Sequence, residues 1–168
     1  MKATPLLPEE TLRRVLRLAQ IAGICVLAVP GFFALASASL GDVTGVIVGL
    51  LVAAAGAVEL HGADLLRAGE PRGTSWLVSS QIYLMIVIIA FCGWQLTHMN
   101  LTLWRMALTS DVKASIAQTG LTEEQFLATT YRFGYRLIAL ITFFYQGGMA
   151  LYYFRRRGAV LQALEAEL

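Results

Sequence analysis

The sequence predicts an all-α integral membrane protein, a bundle of four transmembrane helices with a helical hairpin outside the membrane between the third and fourth spans. Three observations carry this. Hydrophobic residues make up 57% of the 168 and charged residues only 14%, against about 25% charged in a soluble domain. Four apolar runs each approach the ~20 residues that cross a hydrocarbon core. Aromatic residues flank the later runs, as they do at membrane interfaces. By length the chain is a single domain, and every segment is expected to be helical.

The first span is expected at about 15–38. It follows a lead-in in which Pro5 and Pro8 precede Glu9 and Glu10, residues that suit the first turn of a helix. Pro30 lies inside the span and removes one backbone hydrogen bond, so a local kink is expected. The run ends in small residues from Ala34 to Ser39 but is long enough to span, which favours a retained helix over a cleaved leader.

The second span, about 43–66, carries the most information. At 100° per residue, Gly41, Gly45, Gly49, Gly56, Glu59 and Ala63 fall on one narrow face. Small residues at four-residue spacing let helices approach closely, and close packing is the main attraction available in lipid. The glycine zipper marks a packing seam within one chain, or else a seam between subunits or along a pore, and spacing does not distinguish these. Glu59 continues that face at hydrocarbon depth, where a charged side chain costs about 2.5–3.5 kcal/mol on insertion scales. Such groups face protein or a water-filled path. His61 and Asp64 lie near the helix end and point away from Glu59.

The third span, about 75–96, is an uninterrupted apolar run between Trp76 and Trp94, with Ser79, Ser80, Gln81 and Tyr83 as a polar patch near the depth of Glu59. The fourth, about 131–154, shows Tyr131, Tyr135, Ile138, Thr142, Tyr145, Met149 and Tyr152 at alternating four- and three-residue steps, with Gln146 beside them. Such a stripe reads as a packed seam. Between these spans, residues 97–130 form the external helical segment. No glycine or proline occurs from Trp94 to Thr119, so the third helix is expected to run on past the membrane, with a break near Ser110. Gly120 is placed for a helix C-cap and Thr122 to Gln125 reads as a capping box.

Nine of the thirteen basic residues fall in the N-terminal segment, the loop between spans two and three, and the tail. The positive-inside rule then places both termini in the cytoplasm of a cell (inner or plasma) membrane. The net charge of +2 and the absence of a basic stripe with stacking aromatics exclude a nucleic-acid partner. No catalytic residues are expected, because no nucleophile elbow, cysteine–histidine pair or phosphate-binding glycine loop occurs. Neither a cofactor nor a metal is expected, since three or four convergent ligands are lacking. Cys25 and Cys92 sit within apolar runs and read as small hydrophobes.

The expected function is a small homo-oligomeric channel or transporter. Glu59, Ser80, Gln81, Tyr145 and Gln146 are the candidates for a polar pathway, and Gly41, Gly45, Gly49 and Gly56 for the helix-packing or oligomer seam. The alternative is a non-catalytic accessory or scaffold subunit of a larger membrane complex. The expected partners are the lipid bilayer and either a second copy of the chain or another membrane subunit.

Overall fold

The computed structural model describes residues 7–106, 108–118 and 120–166. Lys2 and Pro5 of the expected lead-in and the last two residues of the tail lie outside them. The described chain is all-helical, with α1 (Pro8–Ser39), α2 (Val43–Arg67), α3 (Gly73–Thr97), α4 (Thr102–Met106), α5 (Ser110–Gln118) and α6 (Glu123–Ala166). Of these, α1, α2, α3 and α6 are long and apolar enough to cross a membrane. This is a multi-span membrane protein.

Local chemistry sets the helix ends. Pro8 opens α1 with Glu9 and Glu10 in its first turn, where an amide would have no intrahelical acceptor for proline to forfeit and the dipole favours acids. Gly41, at φ 71°, turns the chain out of α1, and the Asp42 carboxylate then accepts from the Gly45 amide at 3.1 Å to cap α2. At the other end of α2, Gly69 takes φ 78°. The Glu70 amide donates to Leu65 at 2.8 Å and the Gly69 amide to Leu66 at 3.2 Å, the paired bonds of a Schellman termination.

Tight helix approach follows the small residues. A Cβ added at Gly56 would meet the backbone of α1 at Leu27 N, 2.7 Å from Gly23 O and 2.8 Å from Val26 C. One at Gly49 would lie 2.8 Å from the Ala34 Cβ and 2.9 Å from the Pro30 carbonyl. A second close crossing joins α2 to α3, where a Cβ on Gly73 would meet Gly62 O and the Leu66 side chain.

The chain divides into two compact units. The first comprises the described residues up to Val87 together with those from Phe144 onward. Its core joins Leu12, Val15 and Ala19 of α1, Ala63 and Leu66 of α2, Leu77 of α3, and Tyr153, Val160, Ala163 and Leu164 of α6. The tail is therefore part of the bundle, because α6 continues well beyond the expected span. At 44 residues and 1.5 Å per residue it is about 66 Å long, far more than a ~30 Å hydrocarbon core.

The second unit, Ile88–Phe143, holds the short helices. Here the sequence expectation needs correction: α3 does not run on past the membrane but stops at Thr97. The Thr97 hydroxyl bonds back to the Gly93 and Trp94 carbonyls, and the Asn100 side chain accepts from the Thr102 amide at 3.0 Å to start α4. Short polar side chains that compete with the backbone can end a helix without glycine or proline. The break at Ser110 and the turn at Gly120 (φ 74°) fall where expected. The capping box is reciprocal: the Gln125 amide donates to the Thr122 hydroxyl at 3.2 Å, and the Thr122 amide to Gln125 Oε1 at 3.1 Å. Within this unit Tyr131 donates to Gln95 at 3.0 Å, and Trp104 meets the Tyr131 ring edge-on at 5.9 Å. Arg105 pairs with Glu124 at 3.4 Å and Lys113 with Glu123 at 4.0 Å.

Candidate functional site

Glu59 stands at the centre of the first unit. It lies four residues, or about 6 Å, beyond the midpoint of α2, and is 1% exposed. Its Oε1 accepts two hydrogen bonds, from Gln81 Nε2 on α3 at 2.8 Å and from the Tyr153 hydroxyl on α6 at 2.9 Å. One carboxyl oxygen thus ties three helices together. Burial of a carboxyl group is tolerable only when its lone pairs meet donors, and an amide and a phenol supply them here without introducing a cation.

The candidate residues part company around this centre. Gln81 joins Glu59 directly. Ser80 is buried too, but its hydroxyl donates to the Leu77 carbonyl of its own helix at 2.9 Å. Gln146 is 9% exposed, and its Oε1 accepts no hydrogen bond among the described residues. Tyr145 is 60% exposed and faces away from the interior. His61 packs edge-on against Trp76 at 5.3 Å, and Asp64 pairs with Arg67 at 3.0 Å on the exposed side of α2. Neither approaches Glu59.

The glycine face is occupied by α1. Gly49 and Gly56 are buried in that crossing, and Gly23 on α1, a residue the spacing argument overlooked, meets Leu60 and Gly56 from the other side. Gly45 packs against the Asp42 and Ser37 side chains. Gly41 takes no part in the crossing with α1: it sits in the turn before α2 with no neighbour where a Cβ would be.

Sequence reasoning also missed Tyr153. The expected stripe on the fourth span steps by 3.5 residues and arrives at Tyr152. A straight helix turns every 3.6 residues and drifts by about 20° per heptad from such a pattern. Among the buried positions of α6, which also include Leu127, Gln146, Val160 and Ala163, the set Tyr131, Thr142, Tyr153 and Leu164 is spaced by eleven residues, or 3.67 per turn. An eleven-residue count from Tyr131 would have found Tyr153 and left Tyr145 outside.

The site holds an acceptor between two donors. No group of three or more His, Cys, Asp or Glu residues that could hold a metal occurs among the described residues. No protein-family model, curated protein or solved structure matches the chain.

Proposed function

We propose that this membrane protein is a non-catalytic accessory or scaffold subunit that presents its α4–α5 segment to a protein partner. The observation that carries this reading is the apolar surface of that segment. Trp104 and Met106 on α4 and Val112 on α5 are exposed on helices too short to cross a membrane, with Met106 72% exposed, and Leu121 is exposed in the turn that follows α5. Exposed apolar groups outside the bilayer favour association with another surface. The interior is compatible with it: Glu59 is closed under Gln81 and Tyr153, and Gly49 and Gly56 pack on α1. In this reading both termini are cytoplasmic, the segment faces the opposite side, and the protein is not an enzyme.

The test is site-specific photocross-linking in cells, with a photoreactive residue at Met106 or Val112 and a control at Leu35 in the apolar face of α1. The expected result is a discrete adduct with a second protein from the first two positions and none from the third. Absence of any protein adduct from Met106 and Val112 would sink the proposal. A closed ring of copies by native mass, with ion flux in liposomes that Glu59→Gln alters, would return the chain to the channel or transporter reading.

A further inference from the structure

We infer that the cavity between the start of α3 and the C-terminal third of α6 binds a phosphate oxyanion, with the singly charged phosphodiester of an anionic lipid or a soluble phosphate ester as its source. The cavity measures about 200 Å³. At about 30 Å³ for each water in the liquid, that is room for a phosphate group and bridging waters. Its α3 wall carries Ser75 and Ser79, one helical turn apart, and its α6 wall carries Arg157. No acidic residue lines it.

The donors divide clearly into used and unused. The Thr74 hydroxyl at the cavity's edge already bonds Pro71 O, and the Tyr153 hydroxyl bonds Glu59. The first amides of α3 bond back to the carbonyls of Glu70, Pro71 and Arg72, so the site rests on side chains and not on a helix terminus. Arg67 and Arg72 have carboxylate partners at 3.0 and 2.8 Å. Arg157 has no ion pair among the described residues. One guanidinium with two hydroxyls matches one negative charge, because Arg offers a planar pair of N–H donors to the two anionic oxygens of a phosphodiester, each of which has a further lone pair for a serine hydroxyl. Val78 and Phe154 add an apolar wall beside this polar floor, which suits a group that joins a headgroup to acyl chains.

The neighbouring arginines do not share the site. Arg155 and Arg156 line a different cavity with Gly148, Leu151 and Tyr152, and Arg156 sits 5.8 Å over the Tyr152 ring. A generic belt of interfacial arginines predicts that all three act alike; the geometry singles out Arg157. The inference is independent of the α4–α5 proposal, since the two involve different helices and different ligands.

The experiment is native mass spectrometry of the full-length protein with phosphatidylglycerol and, in parallel, phosphatidylcholine. Wild type is expected to retain phosphatidylglycerol preferentially. Arg157→Gln should weaken that retention about tenfold or more, as the loss of a charge-assisted pair implies. Ser79→Ala should weaken it a few-fold, and Arg155→Gln should stay within about twofold of wild type. Inorganic phosphate at millimolar concentration that displaces the lipid, in an Arg157-dependent way, assigns the site to soluble phosphate esters. Lipid retention that phosphate leaves intact assigns it to the headgroup; both uphold the oxyanion site. Undiminished retention in Arg157→Gln and Ser79→Ala, or equal losses in Arg155→Gln and Arg157→Gln, overturns it.

Discussion

Replacing Glu59 by glutamine and by leucine separates two accounts of the buried carboxyl group. Both hydrogen bonds end on Oε1. A glutamine can place its carbonyl oxygen there and keep both donors satisfied, so Glu59→Gln is expected to change stability by less than about 1 kcal/mol. Leucine fits the volume but leaves the Gln81 amide and the Tyr153 hydroxyl buried without an acceptor. Each orphaned donor costs about 1–3 kcal/mol, giving about 2–6 kcal/mol for Glu59→Leu. Tyr153→Phe removes one bond and leaves the other; interhelical hydrogen bonds in membrane proteins average about 0.6 kcal/mol and reach about 1.7, so its loss should lie in that range. The assay is reversible unfolding in mixed micelles, read by tryptophan fluorescence and circular dichroism. If Glu59→Gln is as damaging as Glu59→Leu, the group is needed for something amide chemistry cannot supply, and its description as a passive acceptor is wrong.

Further predictions concern backbone approach, capping and surface charge. Gly56→Ala places a methyl group against three backbone atoms of α1, and overpacking of this kind costs about 1–3 kcal/mol. Gly148→Ala meets no atom within 4 Å and should be neutral or stabilising by up to ~1 kcal/mol from helix propensity; the unfolding midpoints should therefore move in opposite directions. Thr122→Ala removes the cap of α6 and is expected to cost about 1 kcal/mol, visible as faster amide hydrogen exchange at Gln125. The Arg105–Glu124 and Lys113–Glu123 pairs are largely exposed, so Glu123→Gln and Glu124→Gln should each shift stability by less than ~1 kcal/mol, with no measurable salt-dependent transition.

Much of the architecture was legible because its causes are local. Apolar length determines the four spans, and Thr122 to Gln125 carries a cap whose two partners are three residues apart. The break after Thr97 was hidden because it depends on side-chain competition for backbone carbonyls by Thr97 and on an Asn100 cap, signals weaker than a glycine or proline. The end of α2 was legible in outline, the expected span closing at about 66 and the helix at Arg67, but its termination through Gly69 was not anticipated.

For the candidate site, the sequence by itself determined that Glu59 had to face protein or a water-filled path, since a carboxyl group at hydrocarbon depth needs donors and lipid has none. It also determined that Gly49 and Gly56 invite a close neighbour. Only the tertiary structure decided which neighbours came. Gln81 lies 22 residues from Glu59 and Tyr153 lies 94 away, and α1, with Gly23 opposite Gly56, took the glycine face. These choices depend on the rotation of each helix about its axis. A phase error of one-tenth of a residue per turn accumulates along a helix as long as α6, and that difference moved the buried tyrosine from 152 to 153.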